Sequence, residues 1–236
     1  MGGLDFVVVA FDGEFTGGCT KLNWMHGLGA AFVDVRTRQV VERFETFIRP
    51  QPGRVWDADT QEWARNANPA YYARYEAAML DAATPDADAA GRAFCAWLDA
   101  GCARHAARGK MALLSDTNGS DFSWLETILP PPRCGKYLFG PRMTQTIGAT
   151  SYYLGLAGVL PGDGINNSIA EKMALRKYGF SERPDDSKHN DGVEGLRALP
   201  DELRAQAHTH SPLDDAVHAG LLYAFVCHQA AAAASA

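Results

Sequence analysis

The run Val7-Val8-Val9-Ala10-Phe11, followed at once by Asp12-Gly13-Glu14, constrains the fold more than any other stretch of the chain. Consecutive β-branched residues favour extended backbone over helix. A short run that is apolar on both sides of the pleat belongs inside a sheet covered on both faces, so residues 5–12 are expected to form a buried strand. That strand ends where the carboxylates begin, because carboxylates are rarely buried without a partner. Residues i and i+2 of a strand point to one face, which makes Asp12 and Glu14 converge. Two anions that close repel unless a cation or a shared proton compensates. Oxygen-only ligands suit a hard ion such as Mg²⁺ or Mn²⁺. A strand end whose carboxylates are simply solvated fits the same residues.

Two further strands are expected at 27–35 and 39–49, joined by the polar link Arg36-Thr37-Arg38 as in an antiparallel meander. Residues 58–108 change to an Ala-rich pattern of two or three helices, with Pro69 and Pro85 suited to first turns. A short buried strand follows at 111–115, then a helix at 121–129 that Pro130, Pro131 and Pro132 end. One more strand at 136–148, a short helix around 151–156 and an amphipathic helix at 168–180 stopped by Gly179 come next. Residues 181–192 read as a polar loop and 211–229 as the strongest helix in the chain. Strands first, then helices interleaved with strands, is the order of a sheet with helices packed on it. No linker divides residues 1–229, so a single domain is expected, with a disordered Ala-rich tail at 230–236.

Composition narrows the function classes. The 236 residues suffice for one large core, and 47% hydrophobic with 21% charged residues argues for a globular chain. A net charge of −6 excludes a general basic coat for nucleic acid, although carboxylates facing divalent ions would offset part of it. No apolar run approaches the roughly 20 residues of a membrane span, so no membrane partner is expected. Five cysteines without a CxxC pair argue against a disulfide framework or a zinc site and for a reducing, intracellular compartment.

Two other groups carry chemistry. Asp121 stands just after the 111–115 strand at the mouth of a helix, where the segment by itself favours an N-cap, and Asp116 is a rival carboxylate. His210 precedes Asp215 with four residues between them, the Asp in the first turn of the long helix. That spacing brings an imidazole near a carboxylate, and a neutral imidazole takes a proton from an acidified water. Complementing the helix dipole is the alternative role for Asp214 and Asp215.

The three groups appear in the order strand-end Asp-x-Glu, then Asp, then His-x4-Asp, and that order with its local strings resembles the DEDDh branch of the DnaQ-like 3′–5′ exonuclease superfamily. The stretch from Phe11 to Gly17 is similar to the first exonuclease motif, in which Thr-Gly often follows the acidic pair. Residues 115–125 resemble the second motif and match Asp121 rather than Asp116. The segment from His210 to Ala216 resembles the third, matching His210 and Asp215 rather than His208 and Asp214. The resemblance spans about 5–228, and it departs where Ser115-Asp116 stands in place of the His-Asn that often precedes the second motif's Asp.

The resemblance implies an α/β, ribonuclease-H-like fold, a mixed β-sheet flanked by α-helices. It implies that Asp12, Glu14, Asp121 and Asp215 bind two Mg²⁺ or Mn²⁺ ions and that His210 is the general base of a two-metal hydrolysis. The partner would be the 3′ end of single-stranded RNA or DNA, released as nucleoside 5′-monophosphates. Phe15, Thr16 and Gly17 are the candidates for receiving the terminal nucleotide, although Phe15 fits core packing equally well. The competing expectation is a catalytically silent module of the same fold that binds nucleic acid or protein. RNA or DNA preference and oligomeric state are not written in the residues.

Overall fold

The computed structural model describes residues 4–108, 111–115, 118–130, 143–148, 152–153, 156–157, 167–181, 197–204 and 209–235. The chain opens with strands β1 (Val7–Phe15), β2 (Met25–Asp34) and β3 (Gln39–Phe47), the expected meander. Helices α1 (Ala58–Ala67), α2 (Pro69–Leu80) and α3 (Ala87–Arg104) follow. Then come β4 (Met111–Ser115), α4 (Asn118–Ile128), β5 (Met143–Gly148) and α5 (Asn167–Lys177). A short pair, β6 (Phe180–Ser181) and β7 (Arg197–Ala198), precedes α6 (Asp201–Arg204) and the long α7 (Pro212–Ala233).

Among the described residues, the main sheet has five strands in the order β3-β2-β1-β4-β5. β2 runs antiparallel to both β1 and β3, and β4 and β5 run parallel to β1, so the sheet is mixed as expected. Its two faces carry two core layers. Val8, Ala10, Ala31 and Val33 pack under α7 with Val217, Leu222 and Phe225. Val7, Val9, Phe11 and Phe32 pack on the other face against Phe94 and Leu98 of α3 and Trp124 and Leu125 of α4. Every residue of β2 is buried, which is why its sequence lacks alternation. β3 is an outer strand, and its two acidic residues are ion-paired: Glu42 meets Arg104, and Glu45 meets Arg74.

Several boundaries differ from the sequence reading, each for a local reason. α3 starts after an Asp86 cap whose side chain accepts the Ala89 N–H at 2.8 Å, so Pro85 precedes the helix instead of beginning it. α4 begins at Asn118, three residues early, which puts Asp121 inside the first turn and removes its role as N-cap. The Ala-rich tail expected to be disordered from 230 continues α7 to Ala233, because alanine is the best helix former. α7 is long and apolar enough to cross a membrane by length and composition, but its apolar residues are the layer that covers the sheet. Gly179 ends α5 with a φ of 79°, as expected of a helix-stop glycine. Of the expected 136–148 strand, only 143–148 lies within the described residues, and the expected loop 181–192 falls outside them beyond Ser181.

One titratable group is enclosed by the meander. His26 is 1% exposed, ringed by Trp56, Tyr71 and Tyr75, and neither ring nitrogen has a hydrogen-bond partner among the described residues. Burial drives its pKa down to about 3 from 6.5. The unfolded chain therefore binds a proton that the folded one refuses, and stability falls as the pH drops below 6.5. His26→Leu is expected to flatten the pH dependence of the thermal midpoint between pH 6.5 and about 4, measured by differential scanning calorimetry in citrate and phosphate.

Candidate active site

β1 outruns its parallel neighbour. The ladder to β4 covers Val8–Ala10, so Asp12 to Phe15 project beyond it at the carboxyl ends of the parallel strands, paired to β2. Asp12 faces Gly29 across that ladder and Glu14 faces Gly27. Strand alternation continues the row of Val8 and Ala10 through Asp12 to Glu14, on the face that α7 covers. A Cβ on Gly29 would lie 2.1 Å from the Leu213 nitrogen, and one on Gly27 would lie 1.9 Å from the Tyr71 hydroxyl. The two glycines thus admit the first turn of α7 and the Tyr71 side chain directly beside the carboxylates. Their signal in the sequence is the string of small residues from Gly27 to Ala31, which a strand reading passes over.

Asp215 lies in the first turn of α7, 2% exposed, and its Oδ1 accepts the Thr209 N–H at 2.7 Å. His210 sits in the turn between them with a φ of 56°. Ligand atoms of Glu14, His210 and Asp215 all lie within 4.8 Å of one another. Burial, reinforced by the charges of Asp215 and Asp121, pushes the Glu14 carboxyl up to about 8. Burial also raises Asp215, opposed by the Thr209 and His210 backbone N–H groups and by the His210 and His218 side chains. Asp121, 2% exposed, accepts a hydrogen bond from the Ser115 hydroxyl at the end of β4.

Of the expected site residues, Glu14, His210 and Asp215 make the close trio, Asp121 is near enough for its charge to act on Glu14, and the charges of Glu14 and Asp12 both act on Tyr71. Asp116 and His208 lie outside the described residues. Buried like charges crowded beside an imidazole fit a divalent cation, which would relieve both the repulsion and the desolvation. Tyr71, 5% exposed, feels the charges of Glu14 and Asp12, and its hydroxyl has no hydrogen-bond partner among the described residues.

The three residues after the acidic pair divide. Phe15 is half-buried and stacks on Trp124 with centroids 4.8 Å apart. Its ring lies back over Gly13, where a Cβ would meet Phe15 Cε1 at 2.8 Å, which explains the glycine between the carboxylates. Thr16 is fully buried: its Oγ1 accepts the Trp24 N–H at 2.9 Å and donates to the Trp24 carbonyl at 3.2 Å. Gly17 is buried against the Asn23 side chain. Thr16 and Gly17 therefore close the 16–24 turn, with the Thr16 side chain engaged by Trp24. Trp63 is 49% exposed and touches His210 with centroids 4.7 Å apart.

No protein-family model and no curated protein matches this sequence. Solved structures match it in fold. The nuclease domain of 3′hExo, a DEDDh family member bound to rAMP, superposes with a TM-score of 0.57 at 13% identity, covering 94% of this chain and 92% of that one. A 3′-exonuclease recognising the 3′ end of a histone mRNA stem-loop gives 0.55 at 11% identity, over 94% and 81% of the two chains. The zinc-bound complex of E. coli ExoI with single-stranded DNA gives 0.51 at 13%, over 94% of this chain and 39% of that one. The chain thus has the ribonuclease-H-like fold of DEDDh exonucleases.

Two stability measurements separate the roles of these side chains. A carboxyl raised in the folded state holds its proton more tightly there, so the metal-free protein loses stability as pH rises from about 4.5 to about 8. Glu14→Gln is expected to raise the metal-free thermal midpoint at pH 8 by at least about 3 °C and to leave it unchanged near pH 4. Thr16→Val strands the buried Trp24 N–H and is expected to lower the unfolding free energy by about 1–3 kcal/mol in urea titrations.

Proposed function

We propose that this chain is a divalent-metal-dependent 3′–5′ exonuclease that removes nucleoside 5′-monophosphates from the 3′ ends of single-stranded RNA or DNA. One observation carries the reading: residues from opposite ends of the chain, Glu14, His210 and Asp215, bring their ligand atoms within 4.8 Å of one another at the open end of β1. The shared fold supports it, and so do the rAMP, mRNA and single-stranded DNA named in the structures that share it. Glu14 and Asp215, with Asp12 and Asp121, would hold Mg²⁺ or Mn²⁺. Bound ions supply charge neutralisation for the phosphoryl group and acidify the attacking water. A ring nitrogen of His210 takes the proton of that water, and Asp215 is kept in orientation by the Thr209 N–H. Ser115 fixes Asp121 by donating its hydroxyl hydrogen. Phe15, the member of its trio that keeps partial exposure, meets the terminal nucleotide. Residues 1–229 act as one domain, and the free thiols of Cys95, Cys102 and Cys227 suit an intracellular setting.

The test is a 5′-labelled oligonucleotide, RNA and DNA in parallel, incubated with the protein and Mg²⁺ or Mn²⁺. The expected result is a ladder of products shortened from the 3′ end, with His210→Asn slowing turnover about 10²- to 10⁴-fold while Mn²⁺ binding persists. Oligonucleotide that is bound tightly and stays intact with either metal would instead identify a silent binding module.

A further inference from the structure

The α1–α2 hairpin contributes no residue to the three motifs, yet it touches the loop that carries His210. We infer that Trp63 and Asn68 are positioning residues that hold the His210 imidazole in place, an inference that rests on the base role proposed above. Trp63 is 49% exposed on a helix none of whose residues is buried, so it does not anchor α1 to the core. Its ring meets the His210 ring edge to face at 4.7 Å, with an interplanar angle of 75°. Asn68 lies at the junction of the two helices and works in two directions. Its Oδ1 accepts the Tyr71 N–H at 2.9 Å, which caps α2, and its Nδ2 donates to the Thr209 carbonyl at 2.7 Å.

His210 is thereby bracketed. Thr209 is tied through its carbonyl to Asn68 and through its N–H to Asp215, and Ser211 leads straight into α7. The His210 backbone has a φ of 56°, a left-handed conformation that a non-glycine residue keeps only where its surroundings impose it. Trp63, against the His210 ring, and Asn68, donating to the Thr209 carbonyl, are among those surroundings. A general base has to be within hydrogen-bond reach of the proton it removes, so a displaced imidazole costs rate and leaves substrate affinity alone. An exposed tryptophan beside a nuclease site has one other use, stacking on a base of the substrate, and that use acts on affinity.

Steady-state kinetics of the full-length Trp63→Ala, Trp63→Phe, Asn68→Asp and His210→Ala variants separate the two. Trp63→Ala is expected to lower kcat about tenfold to a hundredfold with KM within about twofold, and Trp63→Phe to restore kcat to within about threefold. Asn68→Asp keeps the cap acceptor for the Tyr71 N–H but loses the donor to Thr209, and is expected to lower kcat similarly. In a His210→Ala background, Trp63→Ala is expected to cost nothing more, because it acts through a ring that is gone. In metal-free protein the His210 ring-proton NMR signals are expected to shift in both Trp63→Ala and Asn68→Asp. A raised KM with unchanged kcat, a further loss in the His210→Ala background, or unmoved His210 signals would overturn the inference. His210→Ala with full turnover would overturn the base role itself, and in a protein that cleaves nothing the NMR shifts still decide whether the hairpin fixes the imidazole.

Discussion

The first turn of α7 sits so close to β2 that a methyl group on Gly29 would lie 2.1 Å from the Leu213 nitrogen. That contact brings Asp215 beside Glu14. A helix resting on ordinary side chains would ride ångströms higher, and the carboxylates would stand apart in water. Close seating continues along the helix, where Gly220 lies against Val33 and Ala10. The chain's longest helix is thus set at a height chosen by small residues on both partners. Its apolar composition follows from covering the two central strands.

The same contact creates an electrostatic cost. Glu14 and Asp215 are both driven toward protonation by burial, and Glu14 also by the neighbouring charges. Nothing in the packing of a core calls for such an arrangement; Val8 and Ala10, earlier on the same face, lie under α7 without charge. The electrostatic cost falls on the strand extension beyond β4, where the loop carrying His210 is also held in a left-handed backbone. A left-handed backbone and raised carboxyl pKa values thus coincide at one end of the sheet. The buried aromatic ring around His26 and the saturated Thr16 turn supply the rigid surroundings against which that arrangement is held.

Residues Val7 to Phe11, the alternation of 39–47 and the apolar stretch after Pro212 are patterns of neighbours in sequence, and each became the element its pattern dictates. Asp12, Glu14, Asp121, His210 and Asp215 were legible as candidates for the same reason, since the strings around them are local. Less legible were the ends of elements. Asp121 looked like a cap and lies inside a turn, and the alanines after 229 looked featureless and extend a helix. The structural partners of Thr16 and Gly17, Trp24 and Asn23, were not legible because they meet them only once the turn closes.

The sequence by itself determined that a buried strand must end in two carboxylates on one face, because period-two geometry and the cost of burying charge allow little else. Only the tertiary structure decided which charges share a site. Glu14, His210 and Asp215 form the close trio, the charge of Asp121 acts on Glu14, and Trp63, Asn68 and Tyr71 join from a hairpin with no motif of its own. The reason is physical: such proximity depends on how near one helix can approach a sheet, and that distance is set by side chains missing at Gly27 and Gly29.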